Sequence, residues 1–300
     1  MRAASNAPST VEQFAFPIGA LIAIVLLTLA PDLLSAKAQI VGLGIVVVLF
    51  GLPHGALDPW IAEKIGLGRT PRLAITFNLA YLAVAVAVVL VWLWVPTLSL
   101  LVFLAISAWH FSGDWEGSLN RAWRLCAGLL LLLMPIGFHT ETVASLFSHL
   151  SGHSGADLAR TLSLPEWFLG SAMLALIGWA AWRGYWTCVL EFSLLLALAY
   201  LTPPLVYFAL YFCLLHSPRH LLGLFRAANT REYPRLMRMM LTYTVATLLL
   251  AALLWWLWSA QPLDSLILRL VFIGLAAVTV PHMMLIAAAY FHQTNQHNHR

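Results

Sequence analysis

His54, His110, His216, His220 and His282 stand inside long apolar runs of this 300-residue chain. An ionisable side chain is costly in hydrocarbon, and where one occurs it usually faces the interior of a helix bundle and marks function. A lone buried histidine is ordinarily a hydrogen-bonded core residue, whereas five together point to a shared metal ion. Spacing adds to the case, because residues four apart share one helix face. Three such pairs occur: His54 with Asp58, His110 with Asp114, and His216 with His220. The last pair can bind one ion through both rings. In the first two a carboxylate follows the histidine, and metal-bound imidazoles usually hand their second ring N–H to a carboxylate or carbonyl. Asp58 and Asp114 are therefore candidate partners of metal ligands, on their own histidine or across helices. The competing reading has each ending its helix in interfacial water. Proline adjoins three of the sites, as Pro53-His54, Ser217-Pro218 and Pro281-His282, where it removes a helical hydrogen bond and bends the chain.

Imidazole suits iron, copper, zinc and nickel alike. Structural zinc normally includes cysteine, yet Cys126, Cys188 and Cys213 lie in apolar runs without CxxC spacing and read as packing residues. Four neutral imidazoles leave an octahedral ion two open positions, enough for O2 and a substrate or water. Trp109, Phe111, Tyr207, Phe208, Tyr211 and Phe212 lie close in sequence and favour a greasy ligand, although aromatics also serve as interfacial anchors. His139, His149 and His153 fall in a connection and are read as solvated. His292, His297 and His299 sit in a polar tail suited to adventitious metal binding at most.

The elements that must carry these side chains are membrane helices. Hydrophobic residues make up 61% of the chain and charged ones 9%, against roughly 25% charged in a soluble domain. Runs such as 77–95 do not alternate with period two, which excludes barrel strands. Roughly ten apolar segments follow, near 14–36, 38–60, 73–95, 97–112, 121–138, 166–183, 186–202, 204–222, 237–258 and 264–290. The expectation is an all-α, polytopic transmembrane bundle of about 8–10 spans, one domain over 1–300 with short cytoplasmic tails at 1–13 and 291–300. The fourth and seventh segments are short for a bilayer. The first ends in Ala36-Lys37-Ala38, which superficially fits a cleavage site, but its leader has Arg2 as its only basic residue and carries Glu12, so it is read as a retained helix.

With the amino terminus inside, the connections holding Lys64, Arg69, Arg72, Arg121, Arg124, Arg183, Arg226, Arg231 and Arg235 face the cytoplasm, and the outer ones keep Lys37 and Arg160. The asymmetry fits the positive-inside rule and places both termini on the cytoplasmic side of the cell (inner or plasma) membrane. The five histidines then lie in the inner halves of segments that all run the same way, able to meet at one depth. Arg219, Arg226, Arg231, Arg235 and Arg238 read as a topology determinant rather than an anionic-lipid patch. The net charge of +4 sits in short connections, which argues against nucleic acid as a partner.

Gly51-Leu52-Pro53-His54-Gly55-Ala56-Leu57-Asp58, Trp109-His110-Phe111-Ser112-Gly113-Asp114, His216-Ser217-Pro218-Arg219-His220 and Pro281-His282-Met283 together resemble, in this order, the Brp/Blh family of membrane β-carotene 15,15′-dioxygenases. The resemblance implies a non-haem iron(II) enzyme that uses O2 to cleave the central double bond of β-carotene into two all-trans-retinal molecules, often for a microbial rhodopsin. It implies His54, His110, His216 and His220 as iron ligands, with no catalytic side chain beyond them. Asp58, Asp114 and His282 would stand behind the ligands or at the substrate site. β-Carotene is about as long as the hydrocarbon core is thick, roughly 30 Å, so a site nearer the inner face calls for an oblique or in-plane tunnel. The alternatives are a membrane metal-dependent hydroxylase or desaturase acting on a lipid, or a non-enzymatic haem-binding or transport protein.

Overall fold

The structure, a computed structural model, describes residues 10–257, 260 and 262–298, with side chains from 14 to 292. Arg2, the side chain of Glu12, His299 and the side chain of His297 lie outside these described residues. The described chain is all helical, as the apolar runs require when backbone polar groups must satisfy one another in lipid. Its helices are α1 (Thr10–Leu29), α2 (Ala36–Val46), α3 (Asp58–Lys64), α4 (Pro71–Trp94), α5 (Pro96–Ser112), α6 (Arg121–Phe138), α7 (Thr140–Ser151), α8 (His153–Leu162), α9 (Glu166–Trp182), α10 (Trp186–Leu201), α11 (Pro204–Leu210), α12 (Ser217–Ala227), α13 (Tyr233–Leu257) and α14 (Leu263–Asn298). Side-chain caps open several of them. Ser35 accepts from the Ala38 amide, Thr70 from Leu73 with Pro71 at the first helical position, and Asn120 from Trp123.

The ten apolar segments are helical over most of their described length, but fewer than the expected 8–10 have the length and composition to cross a bilayer. Among the described residues six helical stretches qualify, including a continuous one over Ala36–Lys64, and a seventh arises if α8 and α9, bent by 57°, form one span. The difference lies in short pieces. α10 has 16 residues and the 204–227 stretch is split by a π-helical turn, whereas a lone crossing wants about 20 residues at 1.5 Å each.

α4 and α13 each bury few of their apolar side chains and expose many, with Leu79 62% and Leu249 67% exposed, as lipid-facing helices should. The main core is formed by Phe16, Trp92, Leu131, Met173, Phe192 and Tyr211. A smaller cluster of Leu57, Trp60, Leu224, Leu236 and Leu285 ties α3, α12, α13 and α14 together. Lipid gives apolar helices no drive to associate, so close backbone approach matters. At Gly128 a Cβ would lie 2.2 Å from the Ala108 carbonyl oxygen, which shows how tightly α6 presses on α5.

The connection 139–165 corrects one expectation. It folds into α7 and α8, and two of its histidines are paired rather than solvated: His139 Nε2 lies 2.9 Å from the Ala199 carbonyl, and His149 Nδ1 lies 2.8 Å from Ser265 Oγ. The cause is docking of this hairpin onto α10 and α14, reinforced by Arg269, which donates to the His149 carbonyl. His153 is exposed. Arg160 grips Glu141 between α7 and α8 through Nε and Nη2 at 3.1 and 2.7 Å, which holds that exposed carboxyl below its ordinary range.

Candidate metal centre

Five elements deliver the membrane histidines. His54 lies on a 3-10 turn, Leu52–Leu57, that follows a π-helical turn at Val47–Gly51. His110 is in the last turn of α5, His216 ends a second π-helical turn at Tyr211–His216, His220 is in α12, and His282 follows Pro281 in α14. π turns insert an extra residue and frequently mark functional sites. Here the two pack on each other. Cys213 Sγ reaches the Val46 carbonyl at 3.5 Å, and Ser217 Oγ donates to the Phe50 carbonyl. Gly51 makes this fit possible, because a Cβ there would stand 2.6 Å from the Phe212 ring. Phe212 in turn stacks on His216 at 5.6 Å and meets His54 edge-on at 5.5 Å.

One ligand atom each from His54, His110 and His216 lies within 4.8 Å of the others, a group that can hold a metal ion. The rings of His220 and His282 adjoin the same cluster. His220 is 5.7 Å from His54 and 5.1 Å from His282, and His282 is 5.3 Å from His110. Imidazole nitrogens bind a divalent ion at about 2.0–2.1 Å, which sets ring centres sharing one ion at about 4.5 Å apart when at right angles and about 6.5 Å when opposed. The ring separations around this cluster run from 4.8 to 6.0 Å.

Hydrogen bonds fix which nitrogen is free. His54 Nδ1 faces the Gly51 carbonyl, which only accepts, so it carries the proton. His216 Nδ1 donates to Asp114 at 3.0 Å and His282 Nδ1 to Asp58 at 2.7 Å. The Nε2 atoms of His216, His220 and His282 are buried without a hydrogen-bond partner. An unsatisfied buried polar atom is costly, and several converging in one place fit a bound ion.

Both carboxylates thus serve histidines on other helices, and neither ends its helix in water. Asp58 is 1% exposed and the Asp114 side chain 7%. Each also accepts from a tyrosine: Tyr81 Oη to Asp58 Oδ2 at 2.8 Å, and Tyr211 Oη to Asp114 Oδ2 at 2.6 Å. Arg219, read from sequence as a topology determinant, instead reaches inward. Its Nη1 donates to the Asp114 carbonyl at 2.8 Å and its Nη2 to Glu191 at 2.5 Å, while Trp115 Nε1 donates to the other Glu191 oxygen at 2.8 Å. The signal available in the sequence was Glu191, a carboxylate inside an apolar segment that must find a cation. Tyr81 and Trp115 carried no comparable signal.

These groups leave a charge imbalance. With the imidazoles neutral, as ligation of a metal requires, Asp58, Asp114 and Glu191 against Arg219 give −3 + 1 = −2 in the bundle interior. Buried charge persists only when compensated, and a divalent cation among neutral imidazoles supplies the compensation. The residues fit a metal ion on donor type, free lone pairs and charge.

Of the aromatic residues expected near a ligand, Phe111 and Phe212 touch the His216 ring. Phe208 stacks on Phe212 at 5.4 Å and meets Phe272 at 5.3 Å. The Tyr211 hydroxyl is engaged by Asp114, and buried Tyr207 donates to the Leu131 carbonyl. Trp109 lies apart, 48% exposed, with the Arg121 guanidinium over its ring. A cavity of about 20 Å³ adjoins the cluster beside His54, His282, Tyr81 and Thr279.

The profile of the β-carotene 15,15′-dioxygenase family matches residues 45–290, a stretch that contains all five histidines and both carboxylates. The chain belongs to that family. It is 33% identical over 251 residues to a β-carotene 15,15′-dioxygenase of the uncultured marine bacterium 66A03, across 80% of this chain and 90% of that one. It is 28% identical over 295 residues to the probable β-carotene 15,15′-dioxygenase Blh of Halobacterium salinarum, across 84% and 85%. No solved structure is significantly similar. The β-carotene dioxygenase family comprises oxidoreductases, and this member's apolar helices are those of a multi-pass membrane protein.

Proposed function

We propose that this member of the β-carotene dioxygenase family cleaves the central 15,15′ double bond of β-carotene with O2, yielding two all-trans-retinal molecules, with iron(II) held by His54, His110, His216 and His220. The observation that carries the reading is the convergence of buried imidazoles with free Nε2 atoms inside a bundle whose interior charge is −2. When bound, iron(II) supplies O2 activation, chemistry that neutral imidazoles suit.

The chain's own groups do the rest. Asp114 holds the Nδ1 proton of His216 and so keeps its Nε2 lone pair available. Phe272, Phe208 and Phe212 form a run of touching rings that ends against His54. A polyene lying along it would bring one double bond to the metal, and such positioning matters because neighbouring double bonds of β-carotene are chemically alike. The apolar walls keep bulk water from activated oxygen. The 20 Å³ cavity suits a particle of about one water's size, so the long substrate enters from the lipid side by parting side chains, along an oblique or in-plane path. In this proposal both termini face the cytoplasm of the plasma membrane, as the basic connections favour, and the apolar product passes to a retinal-binding membrane protein of the microbial rhodopsin type.

The test is expression in a β-carotene-accumulating bacterium, comparing wild type with His54→Ala and His216→Ala. Bleaching with retinal formed only by wild type is expected. Cleavage by both variants removes these histidines from the chemistry, and wild type that leaves β-carotene intact overturns the assignment of substrate.

A further inference from the structure

The sequence places His282 behind the ligands or beside the substrate. The geometry gives it the same setting as His216, a proposed ligand. His216 Nδ1 donates to Asp114, whose Oδ2 accepts from Tyr211, and its Nε2 is buried and unpartnered. His282 Nδ1 donates to Asp58, whose Oδ2 accepts from Tyr81, and its Nε2 is likewise buried and unpartnered. Tyr81 is itself fixed, since its hydroxyl also lies 3.0 Å from the Val278 carbonyl one turn before His282. The two imidazole–carboxylate–phenol chains come from different helices and end on one cluster of rings.

We propose that His282 is a fifth imidazole ligand of the same metal ion, presented by Asp58 and Tyr81. Three observations converge on this. The His282 ring centre lies 5.1, 5.3 and 6.0 Å from those of His220, His110 and His54, inside the window for rings on one ion. Its side chain is 3% exposed, and its Nε2 is buried without a hydrogen-bond partner. With the imidazoles neutral, the charge count agrees with it. Asp58 carries one of the two uncompensated negative charges, and His282 is the group through which that carboxylate can act on the cation. With Nδ1 protonated toward a carboxylate, the available chemistry of Nε2 is lone-pair donation.

Five imidazoles leave an octahedral ion one open position rather than two. A cavity of about 20 Å³ is lined by His54 and His282, with room for about one water-sized molecule. The carotenoid would then be positioned by apolar contact alone and never coordinate the metal.

The inference rests on the metal-centre reading, and cobalt(II) titration of the detergent-purified full chain, stripped of metal, separates the two. Wild type should bind one cobalt per chain, and His216→Ala should lose it. His282→Gly should bind cobalt at least about 10-fold more weakly, with d–d bands shifted toward lower coordination number, and added free imidazole should restore both. That rescue is what a merely structural role would not give. Asp58→Asn should weaken binding by roughly 10- to 100-fold, the range for groups that orient ligands, and Tyr81→Phe by less. Wild-type affinity and spectrum in His282→Gly, with cobalt still lost in His216→Ala, would overturn the fifth ligand and leave the metal centre standing. If His282→Gly does not fold, unchanged cobalt affinity in both Asp58→Asn and Tyr81→Phe overturns it instead. Wild type that takes up no cobalt, iron or zinc overturns both readings.

Discussion

Replacing Asp114 by asparagine changes almost no volume and isolates what its charge does. Its carboxylate accepts from His216 Nδ1 at 3.0 Å and from Tyr211 Oη at 2.6 Å. An amide offers one acceptor oxygen and one NH2, so one of the two partners must face a donor. If the NH2 takes the Oδ1 place, His216 Nδ1 meets it at 3.0 Å and keeps only the longer 3.2 Å contact to the remaining oxygen, which favours moving the ring proton to Nε2, where the lone pair is lost to the metal. If the NH2 faces Tyr211, a buried hydroxyl loses its acceptor, at a cost of about 1–3 kcal/mol. Either way the interior charge falls from −2 to −1, and a divalent ion is less well compensated. Loss of a group that orients a ligand typically lowers metal affinity roughly 10- to 100-fold, about 1.4–2.7 kcal/mol. The assay is competition for iron(II) or cobalt(II) against a chromophoric chelator, with a thermal melt to confirm folding. A folded Asp114→Asn protein that binds metal as tightly as wild type would refute the reasoning, because the Asp114–His216 contact would then have no role in holding the ion.

Other expectations follow from the same geometry. Gly51→Ala places a methyl 2.6 Å from the Phe212 ring; overpacking of this kind costs about 1–3 kcal/mol, read as a lower melting temperature, with weaker metal binding because both π turns must shift. Gly128→Ala drives a Cβ toward the Ala108 carbonyl at 2.2 Å, so α5 and His110 should move and metal content per folded chain should fall. Glu191→Ala deprives half-buried Arg219 of its carboxylate partner and strips Trp115 of its acceptor; breaking a fully buried pair costs about 3–5 kcal/mol and this part-exposed one less, and the loss of stability on a thermal melt should exceed that of Glu191→Gln, which keeps an acceptor for the indole.

The sequence carried much of the site and less of the wiring. Histidines that lipid penalises could be picked out by composition alone, and the expected like direction of their segments let them be read as meeting at one depth. The carboxylates were legible as partners but not whose partners they are. The i,i+4 spacing left each carboxylate to its own histidine or to one on another helix, and the fold takes the second course, giving Asp58 to His282 and Asp114 to His216. The π turns explain why. They shift register just where His54 and His216 are presented, and His54 then turns to the Gly51 carbonyl instead. No periodicity rule anticipates a register shift, nor does one distinguish Arg219, which turns inward, from the basic residues that follow it. Helical segments were found by hydrophobicity, but among the described residues six or seven stretches rather than 8–10 have the length and composition to cross a bilayer, because apolar content does not show that α10 and the 204–227 stretch are short pieces.

The most direct test of the metal centre is iron-edge anomalous diffraction from crystals of the active protein grown with iron(II). The account predicts one strong peak per chain, bonded to nitrogens of His54, His110, His216 and His220. Crystals that convert β-carotene to retinal yet show no iron among these rings would contradict it.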